Sequence, residues 1–181
     1  MNGHQKQKEW SRKSIQKALF ELMGEKDFSQ ITVSEIVERA DVGRRTFYRL
    51  YGGKMEVLRS YFCELCQEYE GNYEPLEKYD IGRIAEEYFG FWYQYREFLL
   101  LMHQCGMDDM LYYELSRASW EVVRKRIGSE MLRCDPKAEY FATYSAGGFL
   151  NLLHRWILEG MQGTAEEYAE NVRESLLAYL K

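Results

Sequence analysis

Ile31-Thr32-Val33-Ser34-Glu35-Ile36-Val37-Glu38-Arg39-Ala40-Asp41-Val42-Gly43-Arg44-Arg45-Thr46-Phe47-Tyr48-Arg49-Leu50-Tyr51-Gly52-Gly53-Lys54 is the stretch whose reading decides the fold. Thr32 and Glu35 have the spacing of a capping box: the hydroxyl accepts from the Glu35 N–H, and the carboxylate reaches back to the Thr32 N–H. The short helix so started turns Val33, Ile36, Val37 and Ala40 inward and stops near Asp41. After a brief turn, Gly43 to Tyr51 reads as a second short helix. Phe47 and Tyr51, four apart, face the core, which leaves Arg44, Arg45, Thr46, Tyr48 and Arg49 on the other faces. Gly52-Gly53 breaks it, and a longer helix starts at about Lys54 and reaches toward Glu70.

Upstream, Ile15, Ala18, Leu19, Leu22 and Met23 recur at three- and four-residue steps, so about Lys8 to Met23 reads as a helix stopped by Gly24. Phe28 and Ile31 return the chain to the core. Two short helices joined by a tight turn, the second rich in Arg, have the geometry that enters a DNA major groove, about 12 Å wide. The first then presents its N-terminus and Thr32 to the phosphates. Lys54 is placed to serve a phosphate as well, and an Arg paired bidentately with guanine contributes ~1–3 kcal/mol of discrimination. The charge distribution agrees. Residues 1–62 hold 12 Lys/Arg against 8 Asp/Glu, a net +4, and residues 63–181 hold 12 against 21, a net −9, which together make the −5 of the whole chain. A basic head on an acidic body suits a nucleic-acid-binding segment joined to something else.

The run from Ile31 to Val42, followed by Arg45-Thr46-Phe47-Tyr48-Arg49 and Lys54, resembles the signature of the TetR/AcrR family of transcriptional regulators over about residues 10–60. The resemblance implies an all-α protein, with an N-terminal three-helix helix-turn-helix domain (1–54) and a C-terminal helical bundle for ligand binding and dimerisation (55–181). It implies a homodimer on a pseudo-palindromic operator in double-stranded DNA. Arg44 and Arg45 would read bases, Thr32, Tyr48 and Lys54 would touch phosphates, and Thr46 and Arg49 could do either. Two positions depart from the family pattern. Asp41 stands at the usual turn glycine, and Asp tolerates the left-handed conformation. Gly43 stands where a capping Ser or Thr is usual, and Gly is an acceptable N-cap.

The body begins near Tyr73 to Pro75. Residues 81–102 carry the clearest period in the chain, an apolar stripe of Ile81, Ile84, Ala85, Tyr88, Trp92, Tyr95, Phe98, Leu99 and Met102. Core packing is the weightier reading of any one of these residues, yet bundle pockets are carved from core residues. The candidate ligand-pocket set is Tyr88, Trp92, Tyr95, Phe98, His103, Trp120 and Tyr144, with His154 a further polar handle. A helix over roughly 107–133 follows. Asp135-Pro136 then starts another that reaches about Met161, and Thr164 to Glu167 is a second capping box opening the last helix. Gly147 and Gly148 in mid-helix each cost about 1 kcal/mol against Ala, which suggests close helix approach, to a neighbour or across a two-fold. Phe149, Leu152, Leu153, Trp156 and Leu176 are the candidate dimer contacts. The runs Phe89 to Leu99 and Gly147 to Gly160 resemble a TetR subgroup common in low-GC Gram-positive bacteria.

Several classes of function are disfavoured. No stretch of about 18 apolar residues lacks charge, and Met1 to Lys6 opens no apolar run, so neither a membrane span nor a signal peptide is expected. The expected location is the cytoplasm, with the four cysteines reduced. No nucleophile elbow, metalloprotease motif or Gly-rich phosphate loop occurs, so no enzyme, no cofactor and no metal are expected. Cys63 and Cys66, three apart on one helix face, keep a thiol or metal sensor open as a minor alternative, beside a co-regulator that acts through a protein partner. The main expectation is a repressor released from its operator by an unknown small-molecule ligand.

Overall fold

The computed structural model describes residues 3–71, 80–128 and 133–179. Every regular element among them is helical. They are α1 (Gly3–Glu25), a 3-10 turn (Phe28–Gln30), α2 (Val33–Arg39), α3 (Arg44–Leu50), α4 (Lys54–Gly71), α5 (Ile81–Tyr93), α6 (Arg96–Gln104), α7 (Asp108–Ile127), α8 (Pro136–Leu158) and α9 (Ala165–Tyr179). The expected start of the body, Tyr73 to Pro75, lies outside the described residues. The chain divides into two compact units, Met1–Leu65 and Cys66–Lys181.

The N-terminal unit is built on Ile15, Leu19, Ile36, Phe47, Leu58 and Phe62, all completely or almost completely buried. It runs past Lys54 because Val57, Leu58 and Phe62 on the first turns of α4 belong to this core. A polar clamp joins α1 to α4. Arg12 hydrogen-bonds the Ser60 hydroxyl at 3.0 Å and pairs with Glu64, whose carboxylate also accepts from Gln16 Nε2 at 3.1 Å. Both members of the ion pair are about a third exposed, so the clamp directs packing more than it stabilises.

In the C-terminal unit α5 packs on α9, α7 on α8, and α6 on both α7 and α8. The 81–102 stripe is two helices rather than one. The chain turns at Gln94 and Tyr95, where the Tyr95 N–H donates to the Trp92 carbonyl at 3.1 Å. No Gly or Pro marks this break. On either side of the turn Phe89, Trp92, Leu99 and Met102 are all buried. Asp80 caps α5, accepting from Gly82 N at 2.9 Å and Arg83 N at 3.2 Å. α7 ends at Gly128, whose φ of 85° only glycine adopts without cost, so the helix stops short of the expected residue 133. Asp135 caps α8 with Pro136 at its first turn, and Thr164 and Glu167 form their reciprocal box ahead of α9. Trp156 lies between the rings of Tyr93 and Tyr168, stacked on both, and its indole N–H donates to the Gln162 carbonyl at 2.9 Å.

Candidate functional site

Phe47 sets the attitude of α3. Its side chain is fully buried, with its ring against Tyr48 and Tyr51 at 5.4 and 6.0 Å. Pinning that face leaves Arg44, Arg45 and Arg49 exposed, Tyr48 58% exposed, and Thr46 half-buried beside them. The turn from α2 to α3 is held by Asp41 in the left-handed region (φ 51°) and by the Val42 N–H donating to the Val37 carbonyl at 3.0 Å. Gly43 caps α3 in extended backbone with no side-chain bond, and beyond its two chain neighbours no described atom lies within 4 Å of where its Cβ would be, so the tip of the turn is open. The Arg44 guanidinium hydrogen-bonds the Ser34 hydroxyl on α2. Arg44 is thereby braced, while Arg45 and Arg49 extend from the helix.

At the start of α2 both halves of the capping box form. Thr32 N donates to Glu35 Oε2 at 2.9 Å, and Glu35 N donates to Thr32 Oγ1 at 3.3 Å. The Thr32 hydroxyl also donates to Glu35 Oε2 at 2.8 Å, so its donor and its acceptor are both engaged within the box. Lys26 Nζ holds the other carboxylate oxygen at 2.5 Å. The Lys26 bond, then the Thr32 backbone and hydroxyl bonds, pull the Glu35 carboxyl down to a pKa of about 2.

Lys54 is placed differently from its expected role at a phosphate. Its ammonium donates to the carbonyls of Phe28, Ser29 and Ile31 at 2.5, 3.1 and 2.7 Å, and it sits 4.6 Å from the centre of the Phe28 ring. An ammonium has three donors, and three carbonyls use them. The Phe28 carbonyl also accepts from the Ile31 N–H at 3.2 Å to close the 3-10 turn, and Lys54 is the cation that reaches all three carbonyls.

The C-terminal unit contains a cavity of about 500 Å³, within the range of small-molecule pockets. Of the residues expected there, Tyr88 lines it. Trp92 and Phe98 are sealed in the core, and Tyr95 packs against Phe91 at 5.3 Å. His103 bonds Asp108 at 2.7 Å where α7 begins, Trp120 is half-buried outside the wall, and Tyr144 is 64% exposed. The walls come instead from α4 and α7 as well as α5 and α8, with Tyr69, Ser119, Val122, Arg126 and Phe149 facing Tyr88. A signal for them existed: Leu111, Leu115, Ser119, Val122 and Arg126 lie at helical spacing along α7. The Tyr88 hydroxyl and Ser119 Oγ are 3.2 Å apart, and burial pushes the phenols of Tyr69 and Tyr88 well above the ordinary tyrosine pKa.

A family model described as "Bacterial regulatory proteins, tetR family" matches residues 15–61, and one described as "Transcriptional regulator C-terminal region" matches residues 80–177, more than half of the chain. The chain belongs to the TetR family. An uncharacterised HTH-type transcriptional regulator of Bacillus subtilis (strain 168), YxbF, is 36% identical over 59 residues, which are 32% of this chain and 16% of that protein. The chain thus spans less than a fifth of the length of that curated relative. A solved structure, the dihydroxyacetone kinase operon activator DhaS, superposes with a TM-score of 0.69 over 93% of this chain and 94% of that one, at 19% identity, and so shares its fold. TetR-family regulators bind DNA and dimerise, and the N-terminal match covers the α2–α3 pair.

In this TetR chain the residues expected at a dimer contact point mostly inward. Phe149, Leu153 and Trp156 are at most 6% exposed and belong to the protomer's own core, which corrects their expected place, and Leu152 and Leu176 are half-buried. The outward face of α8 carries Tyr140, Tyr144, Gly148, Asn151 and Arg155, with Gly147 half-buried at its edge. Cys63 is exposed and Cys66 is buried, its thiol 3.9 Å from the Glu114 carbonyl. Among the described residues no group of three or more His, Cys, Asp or Glu could hold a metal ion, and no helix is long and apolar enough to cross a membrane.

Proposed function

We propose that this TetR-family regulator is a repressor that binds a pseudo-palindromic operator as a homodimer and leaves it when a small molecule occupies the C-terminal cavity. The observation that carries the DNA reading is the attitude of α3: Phe47 buries one face, and Arg45, Tyr48 and Arg49 stand out on the others. Arg44 and Arg45 are the base readers, Tyr48 and Thr32 the phosphate contacts, and Thr46 and Arg49 complete the footprint. Thr32 reaches a phosphate by turning its hydroxyl proton from Glu35 to the DNA.

A second copy seats on the outward face of α8. Beyond the adjacent residues and the backbone of α8 itself, no described atom lies within 4 Å of a Cβ built at Gly147 or Gly148, so neither glycine is explained by packing against another part of the protomer. Two glycines in mid-helix then make sense as the closest approach across a two-fold, flanked by Tyr144 and Asn151. The cavity supports the release reading because its size suits a small molecule and its walls span four helices of the unit. Allosteric release requires the ligand to favour one of two states of the body.

Genomic DNA captured by the purified chain, sequenced and then titrated by fluorescence polarisation tests the reading. Inverted-repeat sites bound tightly by a dimer support it; weak, salt-sensitive binding without sequence preference sinks it. A reporter under the recovered site tests the sign: expression rises on deletion of a repressor and falls on deletion of an activator.

A further inference from the structure

Arg126 is the feature of the cavity that apolar packing does not explain. Tyr69, Ile84, Val122 and Phe149 give the chamber a hydrocarbon lining, and into that lining α7 places a guanidinium whose side chain is 11% exposed. A cation in such surroundings is costly unless it is paired. Its partner is Glu87 on α5, whose Oε2 takes Arg126 Nη2 at 2.5 Å. Glu87 has a second cation as well, because its Oε1 takes Arg83 Nε at 2.9 Å one turn back on α5. Glu87 is therefore the shared member of an Arg83–Glu87–Arg126 chain.

We infer that the cavity takes a hydrophobic monocarboxylate, whose hydrocarbon body lies among Tyr69, Val122 and Phe149 and whose carboxylate takes the Arg126 guanidinium as Glu87 shifts onto Arg83. The inference deepens, and rests on, the effector reading above. Charge selects the class. Among the described residues Asp135 and Lys137 are the other charged members of the wall and offset one another, and Asp135 already accepts from the Lys137 N–H as the cap of α8. That leaves one guanidinium to balance one anionic charge. A dianion such as a phosphate monoester would carry a second, uncompensated charge into the apolar chamber, and a cation would meet Arg126. A carboxylate matches the guanidinium fork in two parallel hydrogen bonds. The exchange has a structural consequence: with Glu87 on Arg83, the ion pair joining α5 to α7 is gone, which weakens the link between the two helices and leaves the Tyr88–Ser119 hydrogen bond between them.

Isothermal titration of the full chain with 2-naphthoate and decanoate, each against its primary amide, tests this. The acids should bind at least tenfold tighter than the amides, and Arg126→Gln should remove most of that difference. Glu87→Gln removes the competitor and should tighten acid binding several-fold; it also serves if Arg126→Gln fails to fold by circular dichroism. Amides that bind as well as the acids, no binding by either acid, or weaker acid binding in Glu87→Gln would overturn the inference. Operator titrations separate it from the release reading. An acid that binds without changing operator affinity leaves the ligand class standing and sinks release. Release by the amides and acids alike leaves release standing and sinks the acid.

Discussion

Lys54 Nζ donates to the carbonyl of Ile31 at 2.7 Å, one residue ahead of the Thr32 cap that starts α2. With its bonds to Phe28 and Ser29, this fastens the first residue of α4 to the turn that carries the first helix of the reading pair. Lys54 is therefore expected to influence operator binding through the placement of α2 and α3. Lys54→Met should lower the unfolding free energy by ~2 kcal/mol, since hydrogen bonds from a charged group are among the stronger ones. It should also weaken operator binding while leaving the slope of log K against log salt unchanged. A slope reduced by about one would instead show a lost phosphate contact.

Among the described residues Arg45 and Arg49 have no such intramolecular anchor, in contrast to Arg44 on Ser34. Arg45→Ala should cost ~1–3 kcal/mol of operator affinity and relax preference at one base pair of each half-site. Polarisation titrations against single-base operator variants check this. Equal affinity and unchanged preference in both Arg44→Ala and Arg45→Ala would remove these residues from the base-reading set.

The Glu35 carboxyl, held near a pKa of about 2 chiefly by Lys26 and then by Thr32, links the stability of the N-terminal unit to pH. Its folded pKa lies below the ordinary carboxylate value. Its contribution is therefore fully present above about pH 4.5 and is lost as pH falls toward 2. Thermal melts between pH 2.5 and 6 should show a steeper acid loss in the native chain than in Glu35→Gln. Parallel profiles would show that the carboxylate does not hold the cap.

Gly148→Ala should separate folding from assembly. Beyond the adjacent residues and the backbone of α8 itself, no described atom lies within 4 Å of its Cβ position, so the substitution should raise protomer stability by up to about 1 kcal/mol through helix propensity. On a two-fold contact the added methyl should weaken dimerisation, seen by sedimentation at dilute concentration. A dimer as tight as the native one would move the interface off this face of α8.

Trp156→Ala should behave in the opposite way. Stacked between Tyr93 and Tyr168 and 1% exposed, Trp156 supports the protomer itself. Its removal should cost ~3–5 kcal/mol in chemical denaturation. Tyr144→Ala, on the exposed side of the same helix, should leave stability nearly unchanged.

Local chemistry was legible from the residues alone. The Thr32–Glu35 and Thr164–Glu167 boxes, the Asp135-Pro136 helix start, the left-handed Asp41 and the inward Phe47 all follow from interactions within a few positions along the chain, which sequence spacing encodes directly. The family resemblance in residues 31–54 rested on the same short-range pattern.

Tertiary structure alone decided which apolar faces meet. The bend at Gln94 and Tyr95 has no local breaker in the sequence, and only the folded chain shows α5 and α6 as separate helices. An apolar period shows that α8 buries a face but not whether its neighbour is the same chain or another copy; only the folded protomer puts Phe149, Leu153 and Trp156 inside and Tyr144 outside. Lys54 likewise reads in sequence as a charge for a phosphate, because the carbonyls that hold it are 23 to 26 residues away and become neighbours only once the chain has folded.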